Sequence, residues 1–167
     1  MKNTGTRLLF ATTATVLLSL LLTASAQTEN LQQKPAAPAY SSVWDGVYTE
    51  KQAQRGEALY HETCSSCHGD KLTGKESENA PALTGEKFEM QWKDRTVGDL
   101  FRKILRKMPQ DDPGTLTPQQ SADLAAFLLS FNKFPAGKNE LPADNEPLAS
   151  IQFDTKKPDQ KGPSAGK

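Results

Sequence analysis

The sequence is poor in the residues that would make a disulfide scaffold, a metal cluster or a nucleic-acid binder. It holds two cysteines and two histidines in 167 residues. The cysteines, Cys64 and Cys67, stand three positions apart, and a disulfide across so short a loop would restrict little chain entropy. An excess of one charge is lacking too: 20 Lys and Arg face 20 Asp and Glu, which leaves no electrostatic footprint for nucleic acid. Apolar residues make up 36% of the chain, low for full packing at this length, while 11 prolines and 11 glycines point to loops and tails. No apolar run reaches the roughly 20 residues of a membrane span. No strand-like alternation of useful length and no internal repeat is present. What remains is one modest domain with tails.

The apolar residues are unevenly placed. LLFATTATVLLSLLL occupies residues 8–22, with Lys2 and Arg7 before it and Ala24-Ser25-Ala26 after it. This is the pattern of a secretory signal peptide over residues 1–26, and it predicts a periplasmic or otherwise exported protein cleaved after about Ala26. An uncleaved anchor is the alternative. No cysteine follows the site, which argues against a lipid anchor. Cleavage takes two cations and no acid with it, leaving a mildly acidic chain without a stable membrane span. Residues 27–43 read as a flexible linker and 44–136 as the packed domain. Residues 137–155 read as an extended strap whose Leu141, Leu148, Ile151 and Phe153 can pack, together with Phe134. Residues 156–167 read as a disordered tail.

Three main helices are expected, and the fold class is all-α. The first covers about 49–63, with Thr49 as cap, Gln52 at the capping-box position, and Ala53, Gly56, Leu59 and Tyr60 on one face. The second covers about 97–106. Thr96 caps it, Asp99 sits in its first turn, and Val97, Leu100, Phe101, Ile104 and Leu105 form its apolar face. Pro109 follows as a stop. The third covers about 118–131, with Thr117 as cap, Pro118 at the first position and Gln120 completing a T-x-x-Q box. Its apolar face is broad: Ala122, Leu124, Ala125, Phe127, Leu128 and Phe131.

Cys64-Ser65-Ser66-Cys67-His68 is a C-x-x-C-H run, the signature of covalent c-type haem attachment. Two thiols three apart at a helix end can each add to one vinyl group of the same porphyrin, and the next residue, His68, is then held against the iron as an axial ligand. A thioredoxin-like pair would need a βαβ context, which is missing. Structural zinc would need further ligands, and only His61 is left over. For the second axial position the candidates are Met108, Met90 and His61. Met108 is favoured: Pro109 imposes a non-helical turn there that can aim the thioether at the face opposite His68. Met90 points away from Phe88 and Trp92 if that segment is helical. His61 precedes Cys64 on the same side as His68.

With these motifs the chain resembles a class I c-type cytochrome of the short bacterial monohaem type. The resemblance covers residues 50–132 and rests on Gly56, Tyr60, the C-x-x-C-H run, Ala80-Pro81-x-Leu83-x-Gly85, Met108-Pro109 and the closing helix. It implies a cytochrome c fold with three main helices around one covalently attached haem c. It further implies that Gly56 lets the first and last helices cross closely, and that Tyr60 packs at that crossing with Leu124 or Leu128. Pro81 would offer its carbonyl to the ring N–H of His68, Leu83 would pack on the haem edge, and Trp92 would either reach a haem propionate or be an ordinary core residue. With His68 and Met108 both bound to iron, the expected function is one-electron transfer by a protein that is not an enzyme. Val43-Trp44-Asp45-Gly46-Val47-Tyr48, Phe134-Pro135-Ala136-Gly137 and Glu140-Leu141-Pro142 are similar to exported cytochromes associated with quinoprotein alcohol dehydrogenases. That likeness suggests a quinoprotein dehydrogenase as donor, with a terminal oxidase or another cytochrome as acceptor. Trp44 and Tyr48 also read as plain packing residues. The alternatives in function are a fixed haem c subunit of a dehydrogenase or oxidase complex, and a haem-based gas sensor. Arg102, Lys103, Arg106 and Lys107, followed by Asp111 and Asp112, read either as a steering patch for redox partners or as a solvated helix face.

Overall fold

The chain is seen in a computed structural model that describes residues 40–154 and 156–157. The signal peptide expected at 1–26, the linker up to residue 39 and the tail from 158 lie outside the described residues. Among the described residues there is no strand, only isolated bridges between extended segments. The helices are α1 (Glu50–Thr63), α2 (Ser65–His68), α3 (Gly85–Trp92), α4 (Val97–Lys107), α5 (Pro118–Phe131) and α6 (Asn145–Leu148). None is long and apolar enough to cross a membrane.

Each main helix starts where a hydroxyl can take an orphan backbone N–H. Thr49, Thr96 and Thr117 accept from the backbone N–H of Gln52, Asp99 and Gln120. Asp99 and Gln120 return the bond, closing two capping boxes. Gln52 does not, contrary to the expectation for α1. Its amide is fully buried and turns to the strap, donating to the Leu141 carbonyl at 3.0 Å and accepting from the Leu141 N–H at 2.8 Å.

α1 and α5 cross at Gly56. A Cβ there would overlap the Asp123 carbonyl and press on Phe127, so only glycine permits the approach. Tyr60 lies one turn further along, its ring 5.2 Å from that of Phe127 and its hydroxyl donating to the Gly69 carbonyl at 2.7 Å. α5 is buried from Ser121 to Leu129, as its broad apolar face implied. α4 packs on both α5 and α6.

α3 adds a fourth helix of eight residues to the three main ones expected. It has no side-chain cap, and its order comes from packing: Phe88 and Trp92 are buried while Met90, on the opposite side, is 64% exposed. The strap region carries one helical turn, α6, where no helical pattern was legible. Pro147 fits there because backbone N–H groups in a first helical turn need no intrahelical partner.

The strap is firmly fastened. Phe134, Leu141, Leu148, Ile151 and Phe153 are all buried. Gln152 exchanges backbone hydrogen bonds with Ser41 and Val43, and the neighbouring Ile151 and Phe153 bond to Val97 and Arg95. Phe153 sits about 6 Å from Phe88, Trp92 and Phe134. Ser42 and Val43, inside the segment read as linker, are buried, so packing begins before residue 44. Trp44 and Tyr48 act as packing residues. The Trp44 indole donates to the Asp154 carbonyl at 2.7 Å and the Tyr48 hydroxyl to the Phe134 carbonyl at 2.6 Å.

Candidate functional site

Between the end of α1, the loop through Pro81, the end of α3, the inner face of α4 and α5 lies a cavity of about 530 Å³, a size suited to a cofactor. Cys64, Cys67, His68, Pro81, Leu83, Trp92 and Met108 all line it. The rival ligands do not. Met90 is exposed, and His61 faces Asp70 at 3.9 Å on the surface.

The two thiols are free, carried by the junction of α1 and α2. Cys64 is the more buried, and burial pushes its thiol pKa up, partly offset by the Thr63 hydroxyl, which lies 3.3 Å from the sulfur. Cys67 is exposed. Among the described residues no group of three or more His, Cys, Asp or Glu could hold a metal ion, so the thiols find no partners for a structural zinc site.

His68 is the last residue of α2 and is 8% exposed. Its Nδ1 lies 2.9 Å from the Pro81 carbonyl oxygen. A carbonyl can only accept, so Nδ1 carries a proton; in the neutral ring this selects the tautomer whose Nε2 lone pair is free for a metal. The loop can come this close because Gly74 lies beneath it. A Cβ on Gly74 would stand 2.7 Å from the Ala82 nitrogen and 2.8 Å from the Pro81 carbonyl carbon.

Met108 caps the C-terminal end of α4 in an extended conformation, φ −123° and ψ 147°, and is half-buried at the cavity wall. Leu100, Ile104, Leu124 and Leu128 supply apolar lining, while Glu78, Lys103, Gln110 and Asp111 are polar residues of the same lining. Of these, Lys103 and Asp111 were read from the sequence only as part of the charged run around Met108, and Glu78 and Gln110 were not singled out, since nothing in their local pattern separates them from other surface polars.

Trp92 provides a direct test of what the cavity suits. Its Nε1 is buried and has no hydrogen-bond partner, a loss of about 1–3 kcal/mol unless an acceptor arrives. A haem propionate is such an acceptor. The paired thiols, the His68 tautomer, a thioether and the apolar walls likewise suit a haem. Beside the cavity, Gln91, Trp92, Arg95, Arg102, Lys103 and Arg106 border a second, open groove of about 490 Å³. The Arg95 guanidinium lies 5.9 Å from the Trp92 ring centroid, and Arg102 pairs with Asp99.

An all-helical fold carrying this motif set around one cavity is similar to that of class I c-type cytochromes. Residues 51–128, a little under half of the chain, match the family described as Cytochrome C oxidase, cbb3-type, subunit III. Among solved structures, a chain in the crystal structure of the sulfane dehydrogenase SoxCD from Paracoccus pantotrophus is similar at 24% identity and a TM-score of 0.44. The alignment covers 70% of this chain and 64% of that one. Among curated proteins no significant match is found.

Proposed function

We propose that this chain is an exported monohaem cytochrome that carries single electrons between redox partners. In this reading one haem c is joined through thioethers to Cys64 and Cys67, with His68 and Met108 as axial iron ligands. A quinoprotein dehydrogenase is the proposed donor, and a terminal oxidase or another cytochrome the acceptor. The observation that carries the reading is the convergence of both thiols, His68 and Met108 on one cavity.

When bound, the haem supplies a one-electron iron couple. The chain's residues set its terms. The Pro81 carbonyl holds the proton on Nδ1 of His68, orienting the ring and making Nε2 more basic. The Met108 thioether is neutral and soft, which favours the reduced state and raises the potential. With His68 and Met108 both holding the iron, no position would be left for a substrate, and the activity would be electron transfer. Leu100, Ile104, Leu124 and Leu128 exclude water and so disfavour the more highly charged oxidised state. The buried Trp92 N–H, which has no partner in the protein, would donate to a haem propionate.

Met108→Ala tests the ligand set. Covalent haem is expected to remain, the potential to fall, and the reduced protein to bind carbon monoxide, which the parent protein does not. Survival of the ferric methionine–iron charge-transfer band in that variant would remove Met108 from the site. Ready carbon monoxide binding by the parent protein would favour a gas sensor. A second reading, a fixed haem subunit of a larger complex, is favoured by the family description, which names an oxidase subunit. Co-migration of an enzyme with the native protein through purification would support it over a free carrier.

A further inference from the structure

We infer that Asn132, at the end of α5, is a positioning residue for His68: it pins the loop that places the Pro81 carbonyl on the imidazole. The inference rests on the reading of His68 as an axial ligand and adds a determinant of its electronic character.

Three hydrogen bonds converge on the Asn132 amide. Its Nδ2 donates to the Leu83 carbonyl at 2.9 Å and to the Leu128 carbonyl at 2.8 Å, and its Oδ1 accepts from the Gly85 N–H at 3.1 Å. Two donors and one acceptor are therefore all in use. An aspartate could not donate to the two carbonyls, and a leucine of similar shape could make none of these bonds.

These bonds matter because of what lies between them and His68. The loop is anchored at one end by paired backbone hydrogen bonds between Lys75 and Ala80, at 3.0 and 3.1 Å. At the other end Leu83 donates to the Leu72 carbonyl at 2.8 Å, and its own carbonyl is taken by Asn132. Pro81 sits between the two anchors. Its oxygen bonds to the His68 ring, and proline has no N–H with which to make a bond of its own. The position of that oxygen is thus set by its neighbours. Asn132 ties the Leu83 end to the helix that crosses α1. Groups that orient a metal-bound histidine through its second nitrogen commonly change metal-site properties tenfold or more when lost, on the order of 10–100-fold.

The sign follows. A firm Nδ1–H···O=C bond makes Nε2 a stronger donor, which stabilises the oxidised iron. Loosening the loop weakens that bond and raises the potential. Asn132→Leu in the haem-loaded protein is expected to shift the reduction equilibrium toward the reduced state by roughly threefold to tenfold, where tenfold corresponds to about 59 mV for one electron. In the reduced protein the His68 Nδ1 proton is expected to exchange with solvent at least about tenfold faster by NMR, following its weakened bond. Gln52→Leu serves as the control. It removes two buried hydrogen bonds to the strap, so it lowers the melting temperature while leaving potential and proton exchange as in the parent.

If Asn132→Leu yields no holoprotein, Asn132→Ser keeps one hydroxyl donor and is expected to move both quantities in the same direction by less. An unchanged potential together with unchanged exchange in the Asn132 variant overturns the positioning role while the ligand reading stands. So does a shift of equal size in Gln52→Leu, which would make the effect one of general loosening. A parent holoprotein whose NMR spectrum shows no iron-bound His68 overturns both.

Discussion

At the scale of single residues, the two strongest observations concern nitrogen atoms. The Nδ1 of His68 has a partner that dictates its tautomer, and the Nε1 of Trp92 has none. In the proposed reading the first prepares a ligand and the second waits for an acceptor. The contrast makes Trp92→Phe informative through the size of its effect. If the indole N–H meets a propionate in the holoprotein, the variant loses about 1–3 kcal/mol for the missing bond to a charged group on top of the packing lost with the smaller ring. If Nε1 meets nothing, the packing loss stands alone and is offset in part by removal of a buried unsatisfied donor. Thermal or denaturant unfolding of the two holoproteins reads the difference. The C-x-x-C-H run, Pro81 and Met108 were legible at this scale because each is tied to a local signature. Glu78 and Gln110 were not, because a polar residue at a cavity mouth has the same local pattern as one on an open surface.

At the scale of elements, the crossing of α1 and α5 sets two effects against each other. Glycine inside a helix costs about 1 kcal/mol relative to alanine, so propensity alone makes Gly56→Ala stabilising. The added Cβ, however, would overlap the Asp123 carbonyl, which is backbone and cannot swing aside, and overpacking of this kind costs about 1–3 kcal/mol or more. The clash wins, and Gly56→Ala is expected to lower stability in chemical denaturation, with a reduced midpoint and an unchanged m-value. The three long helices and their Thr caps could be read from the sequence because periodicity and capping are local. α3 could be read only conditionally. Eight residues carry too little periodic signal, and Phe88 and Trp92 are ordered by Phe153, a residue far away in sequence. Gln52 misled for a related reason: the sequence offers its amide a nearby capping role, while the fold offers the Leu141 backbone in a buried place where bonding is obligatory.

At the scale of the whole molecule, one cation joins three parts of the fold. Arg55 on α1 forms a two-nitrogen pair with Asp123 on α5, at 2.9 Å for each contact, and reaches Glu140 on the strap at 2.8 and 2.9 Å. No local pattern in the sequence could announce this, since the partners lie 68 and 85 positions away. The Arg55 hydrogen bonds hold the Glu140 carboxyl below its ordinary pKa. Backbone N–H groups do the same for Asp45 and Asp99 at their caps. For groups depressed in the folded state, the unfolded chain binds more protons, so their stabilisation is complete above the ordinary carboxylate values near 4 and is lost as pH falls through the depressed ones. Unfolding free energy is expected to hold from neutrality to about pH 5 and then to decline with acid. Glu140→Gln should make that decline shallower. Its effect at neutral pH is expected to stay within about 1 kcal/mol, since the Arg55–Glu140 pair is partly exposed and screened by solvent. A pH series of denaturation curves for the two proteins checks both statements.

The strap also imposes an order in time. Phe153, which backs the Trp92 ring, comes near the end of the described chain, whereas Cys64 and Cys67 come early in the domain. A polypeptide delivered amino end first therefore presents its thiols while Trp92 still has no backing. A large planar guest that arrived at that stage would meet a cavity still open behind Trp92.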